Sequence, residues 1–225
     1  MEREGPGRTM EREASLARRR AERAKAAAER AVGVALIVLF CCASLTAGPQ
    51  AARKPALVDN DRVTVWDVTA ADPNAPRPSG ESVWVSLSRP GEAVFKAKGA
   101  MGDAAALGGR AIVIDLKDKP VPPLVNQSGY PNAFPRPGVK KLFENARVIV
   151  WDYTWTPNVP TPMHFHDKDV VVTYVETGAL KSTAPDGQST SNEFTFGTVR
   201  FNPRDRTHTE VLTSAKARAI ITELK

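Results

Sequence analysis

The sequence predicts an all-β protein built around a jelly-roll barrel near its C-terminus, preceded by a shortened copy of the same unit and by a helical targeting segment. Three observations predict it. After Arg147 the chain reads as about eight short strand-like runs separated by turns such as APDG and NPRD. Two stretches of the chain repeat each other in order. The 18 prolines, with few heptad-like patterns, argue against an all-helical protein, because proline inside a helix removes a hydrogen bond and clashes with the preceding turn.

The 225 residues are 42% hydrophobic and 25% charged, an ordinary composition for a protein with a packed core. The formal charge is +6, but residues 1–30 carry nine Lys/Arg against six Asp/Glu, so half of the excess lies in that segment. The remainder is nearly balanced and has no basic stripe interleaved with aromatics, which excludes nucleic acid as the main partner. Cys41 and Cys42 are adjacent and sit inside an apolar run, where neighbours do not easily form an unstrained bridge. The folded domain is therefore expected to lack a disulfide framework, a thiolate metal site and a cysteine nucleophile.

Residues 1–30, rich in Ala, Arg and Glu, form the first element, a charged tail expected on the cytoplasmic side. No charge follows Arg30 until Arg53, and VGVALIVLF within that stretch is strongly apolar. Residues 31–52 are therefore read as a signal peptide or a membrane anchor, which would place the rest of the chain outside the cytoplasm, in the periplasm, secreted, or tethered to the membrane. The apolar core is short, as in a signal, while the uncharged stretch just reaches spanning length. ASLTAG suits a cleavage region but offers no clean A-x-A site, and Met10 is an alternative start. Phe40 and Cys41 stand where a lipidation motif wants small residues.

The repeat comes next. NDRVTVWDVT from Asn60 matches NARVIVWDYT from Asn145, GEAVFKAKG from Gly91 matches GTVRFNPRD from Gly197, and RAIVIDLK from Arg110 matches RAIITELK from Arg218. The first copy occupies residues 62–117 and is shorter than the second by a hairpin's worth of chain. Residues 118–140 hold six prolines and are read as an extended linker. The second copy, residues 141–225, is expected to fold as strands near RVIVWDYT, TPMHFH, DVVVTYVE, GALKST, NEFTF, TVRF, THTEVL and ARAIITEL.

In MHFH the two histidines stand at i and i+2, so on a strand both imidazoles share one face, roughly 7 Å apart at the backbone. His208, in RTHTE, would reach the same point from a neighbouring strand. Three imidazoles suit a borderline divalent ion such as Fe, Mn, Zn or Ni. The alternation of Trp151, Tyr153 and Trp155 fits core packing better than a pocket lining.

At these residues the second copy resembles the cupin superfamily. His164, His166 and Gly178 match its first motif; Gly197, Pro203 and His208 match its second. The resemblance implies a small barrel with a metal inside. Counted back from Gly178, the family's glutamate position holds Val171, and the second motif's glycine is Asp205. The centre is then a three-histidine one, as in some cupin dioxygenases, or Asp169 supplies an oxygen; Glu210, at i+2 from His208, is the weaker candidate. The first copy has no histidine: Gly102 stands in the place of His208, so it is expected to be metal-free and to pack against the second.

The function expected is action on, or binding of, a small molecule, with dioxygenase-like chemistry set against a non-catalytic sensory cupin. A metal-dependent isomerase would need a base from Glu176, Glu210 or Tyr174. A homodimer is a further open expectation.

Overall fold

In VTVWDVT, Val63 and Val65 share one face and are buried in a core, whereas VIVWDYT is apolar on both faces, and both segments fold as strands. The computed structural model describes residues 18–25, 54–100, 102–119 and 121–225. It divides into two units, residues 1–51 and residues 52–225. In the first, residues 18–25 are an exposed helix. The expected signal or anchor at 31–52 lies outside the described residues, among which no helix is long and apolar enough to cross a membrane.

Among its described residues the second unit has fourteen strands. β1 (Val58–Asp59), β2 (Val63–Thr69), β3 (Glu81–Ser86), β4 (Ala93–Lys96) and β5 (Arg110–Leu116) form one sheet, in the order β1-β2-β5-β3-β4. The remaining strands are β6 (Val139–Glu144), β7 (Val148–Thr154), β8 (His164–His166), β9 (Val170–Tyr174), β10 (Gly178–Thr183), β11 (Ser189–Phe194), β12 (Val199–Asn202), β13 (Arg206–Leu212) and β14 (Arg218–Leu224). They build two sheets, β6-β7-β14-β9-β12 and β11-β10-β13-β8. All eight strands expected in the second copy are present, and β6 precedes them.

The layers follow from the side-chain faces. Val63, Val65, Ile112 and Ile114 of the first sheet pack against Val148, Val150, Val171 and Ile220 of the β7 sheet. The other face of that β7 sheet, with Trp151, Tyr153, Val172, Ala219 and Ile221, packs on Leu180, Phe194 and Leu212 of the third. The β7 sheet is thus the middle layer of three. Its central strand β14 is buried on both faces, which explains why Ala219, Ile220 and Ile221 follow one another without alternation. Each such Val or Ile contributes roughly 1.5–3 kcal/mol when buried.

The first and middle sheets share their strand order, β1-β2-β5-β3-β4 against β6-β7-β14-β9-β12. The matches continue in detail. Asn60 Oδ1 accepts from the Arg62 and Val63 amides as Asn145 Oδ1 does from those of Arg147 and Val148. Arg62 donates to the Lys225 carbonyl and Arg147 to that of Lys117, at 3.2 and 2.9 Å. The first copy lacks more than a hairpin, however: no described strand in it corresponds to β8, β10, β11 or β13. Its outer face is covered instead by Ala104 and Leu107 against Trp84.

The proline-rich segment does more than link. The Leu124 and Ala133 amides donate to the carbonyls of Asp167 and Phe165, and the Phe165 amide donates to Pro131, at 2.8–2.9 Å. It therefore covers the open edge of β8, whose backbone groups would otherwise lack partners. That course carries Phe134 and Arg136 into the barrel.

Candidate metal centre

β8 and β13 are antiparallel neighbours, and His208 pairs directly with His164 in their register. His166 shares the His164 face because it lies two residues along the strand. The three rings sit 4.8–5.1 Å apart between centroids, and a ligating nitrogen from each lies within 4.8 Å of the others. All three side chains are buried.

Their protonation follows from that burial. Loss of water, followed by the positive Arg136, pushes His164 down to about 4. Burial, then Arg206, holds His166 well below the ordinary histidine value, and burial also lowers His208 against the opposing pull of Glu210. All three imidazoles are neutral at pH 7, the form that binds a metal.

The hydrogen bonds orient the rings. His164 Nδ1 donates to the Pro162 carbonyl at 2.7 Å, which leaves Nε2 as an acceptor. His208 Nδ1 bonds Ser182 Oγ at 3.1 Å, which turns its Nε2 toward His166 Nε2, 3.2 Å away. Two nitrogens bound to one ion at about 2.0–2.1 Å stand roughly 3–3.4 Å apart, so this pair has the right separation. Backbone and hydroxyl partners on the outer ring nitrogens are the supports that metal-binding histidines use. The donor set fits a divalent ion.

The barrel has the cupin fold. This rests on its two antiparallel sheets together with the histidines on β8 and β13. Solved structures similar to the chain include a cupin domain from Bordetella pertussis Tohama I, 29% identical over 40% of this chain and 97% of that one, with a TM-score of 0.37. A cupin-2 domain protein from Shewanella frigidimarina is 18% identical over 39% and 79% (TM-score 0.31), and the polyketide cyclase RemF from Streptomyces resistomycificus is 23% identical over 45% and 78% (TM-score 0.33). No protein-family model and no curated protein matches the sequence.

Two expectations about the cupin centre need correction. Asp169 is not part of the histidine group: its carboxylate accepts from Arg62 Nη1 at 3.0 Å and from the Arg204 amide at 2.9 Å. A buried carboxylate with two such partners is already satisfied. Val171 faces away from the centre, into the core shared with the first sheet, whereas Val170 and Val172 face the barrel interior. A one-residue shift along a strand exchanges its faces. Asp205, in the motif's glycine position, has φ 67°, the left-handed conformation that glycine favours and aspartate tolerates.

Glu210 does reach the group. Its Oε1 is 3.8 Å from His208 Nε2, and its Oε2 accepts from Arg136 Nη2 and Trp155 Nε1, both at 3.1 Å. Burial alone would raise its pKa; the net shift is downward, led by the charge of Arg136 and helped by the Trp155 hydrogen bond. Trp151, Tyr153 and Trp155 are core residues, as expected, with Trp151 Nε1 donating to Glu223 at 2.8 Å. Burial pushes Tyr174 up to about 12, which makes it no base at neutral pH, and Glu176 pairs with Lys216.

Sequence reasoning missed Arg136 and Phe134. Arg136 Nη1 donates to His164 Nε2 at 2.7 Å, and its guanidinium lies over the rings of Phe134 and Tyr153 at 4.8 and 4.4 Å. Phe134 stacks on Trp151 and meets the His166 ring edge-on. Nothing in a proline-rich run signals such an insertion; an Arg and a Phe amid the prolines were the available hint.

Proposed function

We propose that the chain is a divalent-metal cupin that acts on a small molecule through a three-histidine centre, with oxygenase-like chemistry. The observation that supports it is the convergence of three neutral imidazoles, with His166 and His208 Nε2 3.2 Å apart. His164, His166 and His208 would hold the ion by their Nε2 atoms. A bound divalent ion supplies Lewis-acid chemistry and, if redox-active, electrons for dioxygen. Three neutral ligands leave its charge uncompensated, which suits an anionic substrate. The aromatic wall of Trp155, Tyr153 and Phe134 excludes water.

A non-catalytic ligand-binding cupin is the second reading, favoured by the state of Glu210. The one carboxylate at the centre is held by Arg136 and Trp155 and is not free to take a proton. Elemental analysis of protein purified without chelators, followed by dioxygen uptake with small acids and phenols, tests both. About one ion per chain with uptake supports the enzyme; an ion without uptake by any candidate supports the binding module.

We also propose that the barrel lies outside the cytoplasm, because Arg18, Arg19, Arg20, Arg23, Lys25 and Arg30 precede the apolar run. A reporter fused after Lys225 should be active only if it requires export. Activity solely from a cytoplasmic reporter would overturn that placement.

A further inference from the structure

Arg136 is a buried cation placed where an ion would bind. Its side chain is 6% exposed, and it spends one N–H on His164 Nε2, the atom an ion would take. Another N–H goes to Glu210, and its Nε is buried with no partner. Once an ion sits on His164, the Nη1 donor also loses its acceptor. Two N–H groups of a guanidinium held between Phe134 and Tyr153 are then unpaired, a state that costs more for a charged group than for a neutral one. Charge points the same way. A divalent ion and Arg136, against the single Glu210 carboxylate and three neutral histidines, leave the interior with excess positive charge. Arg206 adds to it, since its charge is felt at both His166 and His208.

We infer that Arg136 is the recognition residue for a carboxylate-bearing small molecule, whose anionic group takes the place of His164 as partner of the guanidinium beside the metal. This rests on the metal reading above and names the substrate class of that centre. A planar guanidinium with free donors matches a carboxylate, supplying both geometry and charge. A neutral amide of the same shape offers an acceptor without the charge and should bind more weakly.

The test is calorimetric titration of the full chain, purified in mild detergent, with benzoate and pyruvate and with benzamide and pyruvamide. Metal-free and zinc-loaded protein are both titrated. Zinc-loaded wild type should prefer each carboxylate over its amide by about tenfold or more, the scale of a charge-assisted hydrogen bond. Because Arg136→Gln alone strands the Glu210 charge, the decisive variant is Arg136→Gln/Glu210→Gln, which should lose the preference while keeping its zinc; Arg136→Lys should retain part of it. No preference in the zinc-loaded wild type, or an undiminished one in the double variant, overturns the inference. Failure to take up zinc overturns the metal reading and the inference with it, whereas zinc uptake without the preference overturns the inference alone.

Discussion

The first sheet and the middle sheet follow the same plan but meet different neighbours. Both have the order found in β1-β2-β5-β3-β4, both turn from their first strand to their second at an asparagine, and each sends an arginine to the residue just after the last strand of the other. The middle sheet has a second partner across the barrel, and the first does not. Every histidine lies on β8 and β13, strands with no counterpart in the first copy. Gly102, aligned with His208, lies against Trp84 so closely that a Cβ would come within 1.9 Å of the indole. The repeated part of the chain is therefore scaffold, and the candidate chemistry belongs to the part that is not repeated.

The largest effect should come from the core between these two sheets. Val171→Glu places a carboxylate among Val63, Ile112 and Val150 with no cation at hand. An unpaired buried charge costs several kcal/mol, against a total stability of roughly 5–15 kcal/mol. The variant should be largely insoluble, or should unfold at much lower urea than the wild type. A well-folded variant with tighter metal binding would mean that β9 presents Val171 to the centre after all.

Substitutions on the unrepeated strands should separate binding from stability. His164→Ala, His166→Ala and His208→Ala should each weaken metal binding by about tenfold or more, scored by metal content after dialysis. Asp169→Asn should leave metal content unchanged and cost about 1–3 kcal/mol in urea unfolding, because it weakens the buried pair with Arg62. Metal loss in Asp169→Asn would restore it as a ligand.

These residues also show what was legible in the sequence. The histidines were readable because strand periodicity places i and i+2 on one face, whatever the exact register. The strands of the second copy were readable from alternation and turns. Asp169 and Val171 were not: their roles depend on which face of β9 turns inward, and an almost uninterrupted valine run gives no alternation to decide it. Arg136 was hidden for another reason, since its role comes from where the proline-rich segment runs along β8.

Acid should expose the same division. Each histidine of the centre has its folded pKa lowered by burial, so between about 6.5 and the folded value the unfolded chain binds protons that the folded chain does not. Stability of metal-free protein should thus be unaffected above that window and fall as pH drops through it, to about 4 for His164. One such histidine contributes at most about 1.4 kcal/mol per pH unit. Urea midpoints between pH 7 and 4.5 should slope downward in the wild type. The slope should shrink when all three histidines are replaced by asparagine; an equal slope would place the acid sensitivity elsewhere.

The smallest effect tests the likeness of the two sheets directly. Arg110 grips Asp67 through Nε and Nη2 at 3.1 and 2.7 Å, and Arg218 grips Asp152 through the same atoms at 2.9 and 2.6 Å. The register is the same in both: Arg110 is paired with Thr69 and Arg218 with Thr154, so each aspartate lies two residues along the partner strand. Each arginine also points toward a glycine turn of the other copy, Arg218 to Gly91 and Arg110 to Gly197. Two-pronged pairs at a partly exposed edge contribute about 0.5–1 kcal/mol. Asp67→Asn and Asp152→Asn should therefore each lower stability by about that amount, with Asp152 slightly the more costly because its side chain is 12% exposed against 19% for Asp67. Both losses should shrink in 1 M salt, where charges at a protein edge are screened over a few ångströms. If Asp152→Asn destabilises and Asp67→Asn does not, the first sheet is a passive cover on the barrel, and its matching strand order does not carry matching energetics.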